Sequence, residues 1–232
     1  MALILNIETA TTVCSVCLAK DGKLIALKEI NGDYSHAENL TLFIEHVFKQ
    51  ANLKLTDVEA IAVSKGPGSY TGLRIGVSTA KGLCYSLNKP LIAIDTLQHM
   101  ALSVSSNLQT SNNYEQSLYC PMLDARRMEV YCAIYDKDNI CAVPTLAFIV
   151  EEDSFSYFLK GKVVYYFGDG AAKCAKIIRG KEMFYIADIF PSAKNMITLS
   201  EKAFNNNLFE DVAYFEPFYL KDFMIGKKKG EK

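Results

Sequence analysis

A glycine-rich stretch in the first third of the chain limits most strongly what this sequence can fold into. Residues 65–76 read KGPGSYTGLRIG, after an apolar run at 58–64 that predicts a buried strand. Glycine permits positive φ and close backbone approach, while proline fixes one torsion. A helical pattern follows and reaches about Leu87. Gly76 and Gly82 lie inside it, where each costs about 1 kcal/mol relative to alanine, so we expect close helix packing to compensate.

Composition excludes several classes of protein. Half of the 232 residues are hydrophobic, enough for a sizeable core, and the net charge of −1 provides no general attraction to nucleic acid or anionic membrane. No apolar run reaches the roughly 18 residues of a membrane helix, and the opening MALILN turns polar too early for a signal peptide. Seven cysteines without framework spacing fit a reducing compartment. We therefore expect a soluble cytoplasmic protein.

The first half of the chain alternates between strand-like and helix-like runs. Asp21-Gly22 between two β-type runs predicts a hairpin turn. Apolar residues then recur at helical spacing, with Ser35 as the expected N-cap. Pro90 ends the helix that follows the glycine-rich stretch, and Thr96 is the expected cap of the next helix. The element order is therefore βββαβαβα. The predicted strands are 3–7, 13–19, 24–30, 58–63 and 91–95.

The same order can be traced again after a polar segment, residues 105–116, that we expect to be a boundary or long loop. Two copies of βββαβαβα make two α/β lobes, each an open mixed sheet with helices on its faces. A duplicated βββαβαβα order is the arrangement found in the actin-like ATPase and sugar-kinase superfamily, whose lobes are ribonuclease-H-like. We expect an N-terminal lobe at 1–106 and a C-terminal lobe at 107–232, whose tail could pack back on the first. The predicted elements of the second half are strands at 117–123, 129–135, near 141, 163–167 and 183–187, and helices at 152–159, 171–178 and 192–204.

The segments that would hold phosphate in such a fold are poorly equipped here. The turn after the first strand, Glu8-Thr9-Ala10, has a carboxylate and a hydroxyl but no glycine that would let backbone amides approach a phosphate. Glu8 could hold a cation or cap a turn. The second lobe begins with residues 123–127, also without glycine, and Gly168-Asp169-Gly170 is only a three-residue match to a nucleotide loop. We expect a structural turn at Glu8 and no cofactor of the chain's own.

Metal and nucleophile patterns are equally weak. His36 and His46 are ten residues apart, so they do not form a helical metal pair, and each of the three histidines is expected at the surface or a helix end. Cys14 and Cys17 would point to opposite faces of a strand. Ser69 is not central in a G-x-S-x-G elbow. The lysine run at 227–229 is expected to be a solvated tail. We therefore predict no catalytic, cofactor-binding or metal-binding residue.

Two helices carry more small and apolar side chains than one sheet face needs. The first has an apolar stripe through Leu40, Phe43 and Val47, and the second has small residues around Gly76. All of these side chains could pack on the sheet of the first lobe, or part of them could form a partner interface. The sequence leaves both interpretations open.

Four segments together carry a resemblance to one family. They are Glu8-Thr9-Ala10, 66–76 (GPGSYTGLRIG), 124–131 (DARRMEVY) and 217–221 (PFYLK). With these segments, most of the chain resembles the bacterial TsaB family, formerly called YeaZ. Glu8, where many members carry Asp, and residues 141–194 depart most from the family pattern.

The resemblance implies a non-catalytic subunit in the threonylcarbamoylation of the adenosine next to the anticodon, in tRNAs that read codons beginning with A. In that system a paralogue of the same fold, TsaD, holds metal and nucleotide and performs the transfer. A small P-loop ATPase, TsaE, joins the assembly, and tRNA is reached through the complex. TsaB-type proteins pair with the paralogue, and can self-pair as homodimers, through helices of the first lobe.

On this basis we predict two functional segments. The partner interface would consist of His36, Leu40, Phe43, Val47, Arg74, Val77 and Lys81. The glycine-rich turn, Gly66, Gly68, Ser69, Thr71, Gly72 and Gly76, would start the interface helix. Spacing gives each helix one such face but does not say which face points outward. Two alternatives are a nucleotide-dependent phosphotransferase of the same fold and an inactive glycoprotease-like binding module.

Overall fold

The computed structural model describes residues 2–32, 36–108, 114–155 and 161–221. The expected cap Ser35, the lysine run at 227–229 and the end of the helix predicted at 152–159 lie outside them. The strands are β1 Leu3–Glu8, β2 Val13–Lys20, β3 Lys23–Asn31, β4 Ala60–Gly66, β5 Leu91–Asp95, β6 Ser117–Asp124, β7 Glu129–Asp136, β8 Cys141–Ile149, β9 Val163–Phe167 and β10 Met183–Ile186. The α-helices are α1 His36–Ala51, α2 Tyr70–Leu87, α3 Thr96–Asn107, α4 Ala171–Cys174 and α5 Ile197–Asn205.

The two halves of the chain form sheets of the same topology. The first sheet has the order β3-β2-β1-β4-β5, and the second has β8-β7-β6-β9-β10. In both, the first three strands are antiparallel and the last two run parallel to the central strand. Asp21 and Gly22 both have positive φ (52° and 69°), as a type I′ hairpin turn requires. The duplicated strand order predicted from the sequence is confirmed.

The central strand of the first lobe explains how that lobe is packed. All six residues of β1 are buried, which its almost continuous apolar sequence favours. Alternate residues face opposite sides, so Leu3, Leu5 and Ile7 join the core under α1 and α2. Ile4 faces the other side and packs with Met196 beside α5.

The last helix of each half packs on the sheet of the other half. α3 follows the first sheet in sequence, yet Leu97 and Met100 lie in a core with Tyr119 and Phe167 of the second sheet. α5 follows the second sheet, yet its residues cover the first sheet. The two lobes are thus joined by apolar cores as well as by the chain connection.

Some local predictions differ from the structure. The cap of α3 is Asp95, whose carboxylate accepts from the Gln98 amide at 3.1 Å, and Thr96 is already helical. The strand expected near residue 141 extends over nine residues, and α4 has four residues instead of eight. Residues 152–155 of the predicted helix form a turn. No helix in the described ranges is long and apolar enough to cross a membrane.

Candidate functional site

The turn after β1 is fixed by a buried carboxylate. Glu8 has no exposed surface. Its Oε1 accepts hydrogen bonds from the Ala10 amide at 2.6 Å and the Ser64 hydroxyl at 2.9 Å. Its Oε2 lies 2.6 Å from Nε2 of His99, which is also fully buried. Both oxygens are therefore occupied by the protein itself, and the geometry of Glu8 is that of a turn cap.

The glycines after β4 allow the start of α2 to pack against this turn. A Cβ atom on Gly68 would lie 2.3 Å from the Ala10 carbonyl oxygen, and one on Gly72 would lie 2.1 Å from the Thr9 carbonyl oxygen. One on Gly76 would lie 2.2 Å from Thr9 Oγ1. Each distance is far below van der Waals contact. The close approach that such glycines could offer to a phosphate is thus used by the chain's own carbonyl groups.

Ser69 has a structural task at the same place. Its hydroxyl is the N-cap of α2 and accepts from the Gly72 amide at 3.3 Å. Its own amide donates to the Ala10 carbonyl at 2.6 Å. These bonds describe a helix cap tied to the β1 turn.

The C-terminal segment, residues 206–221 after α5, passes over the beginning of the glycine-rich turn. Gly66 has φ of +109°, and a Cβ there would lie 2.8 Å from the Phe218 carbonyl oxygen. The Phe218 amide donates to the Lys65 carbonyl at 2.7 Å. Gly66 is therefore required both by its backbone conformation and by the segment that covers it.

The second lobe repeats this close packing. Gly168 has φ of +108°, and a Cβ there would lie 2.3 Å from the Met122 carbonyl oxygen. The Asp169 carboxylate accepts from the Asp124 amide at 3.1 Å, and burial raises its pKa. The Gly168-Asp169-Gly170 segment thus fastens β9 to the turn after β6.

A cleft of about 800 Å³ lies between the two lobes. Of the predicted glycine-rich turn, Gly68, Ser69 and Thr71 line it, together with Tyr70. The other lining residues come from the β1 turn, the end of β6 and the turn after it, β7, the loop after β9, and the C-terminal segment. They are Ala10, Thr11, Leu123, Asp124, Ala125, Arg126, Arg127, Glu129, Tyr131, Asp169, Phe218, Tyr219, Leu220 and Lys221.

The acidic groups on the second-lobe side of the cleft are largely paired. Lys173 contacts the Asp124 carboxylate and also donates to the carbonyls of Arg127 and Glu129, both at 2.7 Å. Lys221 contacts the Glu129 carboxylate. Arg126 and Arg127, in the same turn, are exposed.

Most of the predicted interface side chains lie in the core. His36, Leu40, Phe43, Val47 and Val77 are each at most 7% exposed. The assignment of these five to an outward face is therefore wrong, because the apolar side of an amphipathic helix packs on its own sheet. Arg74 is exposed and donates to the Tyr70 hydroxyl at 2.8 Å. Lys81 is half-buried and donates to two backbone carbonyls of the C-terminal segment, at 3.1 and 2.9 Å.

Two other sequence expectations need correction. His46 lies at the surface and His36 at the first position of α1, as expected, although His36 is buried; His99 is buried inside α3, contrary to the expectation. The partners of His99 could not be inferred, because Glu8 is 91 residues away in sequence. Gly76 packs closely as predicted, whereas Gly82 is exposed and meets no atom within 4 Å in the described part of the chain.

The predicted arrangement of Cys14 and Cys17 is confirmed. The two thiols lie in different buried cores on opposite sides of β2. Burial raises the pKa of Cys14 to about 11, and that of Cys17 further. Both act as small core residues.

Comparison with known proteins gives consistent matches. A family model described as "TsaD: tRNA N6-adenosine threonylcarbamoyltransferase" matches residues 32–225. The "tRNA threonylcarbamoyladenosine biosynthesis protein TsaB" of Escherichia coli strain K12 is 28% identical over 236 residues, covering 97% of each chain.

Two solved structures confirm the fold prediction. "YeaZ from Pseudomonas aeruginosa" has a TM-score of 0.80 at 23% identity and covers 95% of this chain and 100% of that one. An inorganic polyphosphate/ATP-glucomannokinase from Arthrobacter sp. strain KM has a TM-score of 0.51 at 11% identity, covering 90% and 99%. The fold is thus the duplicated actin-like, ribonuclease-H-like one.

Proposed function

The chain belongs to the tRNA N6-adenosine threonylcarbamoyltransferase (TsaD) family and, within it, to the TsaB (YeaZ) group, and from this premise we propose that it is a non-catalytic subunit in threonylcarbamoylation of tRNA. It would bind and activate a TsaD-type paralogue that carries the nucleotide and the metal. A TsaE-type ATPase would join the complex, and tRNA would be reached through the assembly in the cytoplasm. The names of the relatives support the pathway, and the geometry of the first lobe supports the accessory role.

The observation that carries the accessory role is the contact between the β1 turn and the glycine-rich turn. The carbonyls of Thr9 and Ala10 fill the space beside Gly72 and Gly68. The Glu8 carboxylate at the end of β1 is buried and contacts Ser64 and His99. A phosphate-binding loop needs free amides and a metal site needs an available carboxylate, so this lobe is better built for rigidity than for nucleotide chemistry.

The surface that we assign to the partner is the outer face of α1 and α2, which pack side by side. On α1, Leu42 is 58% exposed, and on α2, Tyr85 is 86% exposed. Gly82 lies one turn before Ser86 on the same exposed side, and nothing within the described chain explains a glycine there. A helix-interior glycine costs about 1 kcal/mol, so close approach of a second helix would give it a purpose. The exposed residues of α2 are Thr71, Arg74, Ser78, Gly82, Tyr85 and Ser86.

Reconstitution of the modification tests the proposal. With and without this chain, we combine the TsaD-type paralogue, the TsaE-type ATPase, tRNA, ATP, Mg²⁺ and a source of the activated threonylcarbamoyl donor. Modified adenosine is measured by mass spectrometry of digested tRNA. We expect product only when this chain is present, and product without it would refute an essential accessory role.

A matched pair of variants locates the interface in the same assay. Gly82→Gln adds a side chain on the outer face of α2, whereas Ser106→Gln adds a similar one at an exposed position of α3. We expect Gly82→Gln to weaken complex formation, measured by gel filtration with light scattering, and to reduce modification. The Ser106→Gln variant should behave like the wild-type protein in both measurements. Equal behaviour of the two variants would show that the interface lies elsewhere.

Two measurements separate the alternatives. Calorimetry with ATP and Mg²⁺ on the isolated chain would show micromolar binding if the protein were a phosphotransferase, and we expect none. A pull-down dominated by proteins unrelated to tRNA modification would favour the glycoprotease-like binding module.

A further inference from the structure

The cleft between the lobes holds an unusual share of the arginines. The chain has four arginines among 25 basic residues. Arg126 and Arg127 line the cleft, and Arg74 contacts the lining residue Tyr70. In the part of the chain that the structure describes, neither Arg126 nor Arg127 forms an ion pair through its side chain. The fixed planar fork of an arginine suits phosphate oxygens, and here two such forks are adjacent.

The loop that carries these arginines is held in a defined shape. Arg126 and Arg127 have φ of 69° and 50°, a region that non-glycine residues rarely occupy and that is enriched in ligand-holding loops. The Arg126 amide donates to the Asp124 carboxylate at 3.1 Å, and the Arg126 carbonyl accepts from the Glu129 amide at 3.2 Å. Lys173 binds the Arg127 carbonyl at 2.7 Å. The backbone of the loop is thus held by these hydrogen bonds, while both arginine residues are exposed.

Aromatic side chains complete the cleft. The rings of Tyr70 and Tyr219 lie 4.8 Å apart at 36°, and the Arg74 guanidinium lies 5.4 Å from the Tyr70 ring. Phe218 is 40% exposed beside them, and Tyr131 also lines the cleft. Basic groups that contact a phosphate backbone, combined with rings on which bases stack, are the two components of single-strand nucleic-acid sites.

We propose that this cleft binds a single-stranded segment of RNA, with Arg126 and Arg127 on its phosphates and a base against Tyr219. This inference rests on the proposed function, which gives the chain a tRNA substrate to approach. The tight contact of Gly68 and Gly72 with the β1 turn leaves no polyphosphate cradle, so a phosphodiester chain fits the cleft better than a nucleoside triphosphate. The acids of the cleft are compatible because Lys173 and Lys221 neutralise Asp124 and Glu129. Asp169 is engaged by the Asp124 amide.

The test uses the full chain and a fluorescein-labelled unstructured RNA of about 12 nucleotides, within the range that one single-strand site covers. Anisotropy titrations at several salt concentrations give the slope of log K against log salt. Each phosphate contact contributes roughly 0.7 to this slope, so Arg126→Gln and Arg127→Gln should each lower it by about that amount. Arg127→Asn removes the same charge with a residue that tolerates positive φ, so it should lower the salt slope by the same amount as Arg127→Gln.

The ring contact has its own pair of variants. Tyr219→Leu should weaken RNA binding roughly fivefold or more, the lower limit for loss of one base–aromatic stack, and Tyr219→Phe should preserve it. Arg179→Gln is the control for charge, because Arg179 is 67% exposed and pairs with Glu152 outside the cleft. It should leave the slope unchanged.

Complex formation with the TsaD-type paralogue is measured on the same variants. We expect complex formation to be unchanged in these variants. Loss of RNA binding by a variant that still forms the complex would support the cleft as the RNA site. Failure of the wild-type chain to form the complex would contradict the proposed function and would leave the RNA measurements to be judged on their own. No detectable RNA binding, an equal effect of Arg179→Gln, or displacement of the RNA by AMP, ATP or an acidic peptide at the same affinity would each overturn the proposal.

Discussion

A pair of glycine-to-alanine substitutions in one helix tests the central packing argument. In α2, Gly72 and Gly82 have the same residue type but opposite surroundings. A methyl group on Gly72 would lie 2.1 Å from the Thr9 carbonyl oxygen and 3.4 Å from the His36 ring, whereas one on Gly82 meets nothing within 4 Å. We therefore expect Gly72→Ala to destabilise the protein and Gly82→Ala to stabilise it.

The magnitudes follow from two opposing terms. Alanine is favoured over glycine in a helix by about 1 kcal/mol, which is the whole effect expected at position 82. At position 72 this gain is offset by overpacking, which costs about 1–3 kcal/mol or more. The upper part of that range applies because the neighbour is a backbone oxygen that cannot rotate away, so the two variants should differ by about 2–4 kcal/mol.

Urea unfolding followed by far-ultraviolet circular dichroism is the suitable assay, since the chain has no tryptophan. For a chain of this length, 1 kcal/mol corresponds to a shift of roughly 2–4 °C in melting temperature, which gives an independent check. If Gly72→Ala were as stable as the wild type with an unchanged m value, the contact between α2 and the β1 turn would not be as close as described, and the argument for a closed phosphate site would fail.

Two further predictions concern burial. Val77→Glu should destabilise the first lobe by about 3 kcal/mol or more, because Val77 is only 3% exposed and lies in the core. If Val77 faced outward, the same substitution would only disturb an interface. A urea stability close to that of the wild type would therefore contradict the buried position of Val77. Of the seven cysteines only Cys141 is exposed. Burial raises the pKa of Cys84 to about 12 and also raises that of Cys141, so access of the reagent should make Cys141 the one cysteine that a thiol reagent modifies first in the native protein. Cys141→Ser should abolish that fast phase, and a second fast thiol would be inconsistent with the structure.

Much of the fold could be predicted because its signals are local. Continuous apolar runs such as β1, the Asp21-Gly22 turn and the helical spacing of α1 each identify an element from neighbouring residues. The repeated element order then indicates two similar sheets. The errors in the elements concern their ends. α4 has four residues instead of the eight predicted, and α3 is capped by Asp95 because the Asp95 carboxylate reaches the Gln98 amide.

The site could be predicted only in part. The glycine-rich turn could be identified because four glycines in twelve residues indicate a close approach of another group to the backbone. At Gly68 and Gly72 the groups that approach are the carbonyls of the β1 turn. The outward direction of α1 and α2 was not accessible, because spacing defines a face but not its partner. That Arg127 and Tyr219 line the same cleft depends on the fold of both lobes and of the C-terminal segment.

The sequence by itself determined the strands and helices, their duplicated order and the glycine positions at which another group must approach the backbone. The tertiary structure decided which groups approach those glycines. Periodicity records which side chains share a face, since helices and strands have fixed repeats. Contacts between residues far apart in the chain, such as Glu8 with His99 or Gly72 with Thr9, depend on how whole elements pack. In this protein those contacts turn a glycine loop of phosphate-binding appearance into the support of a helix.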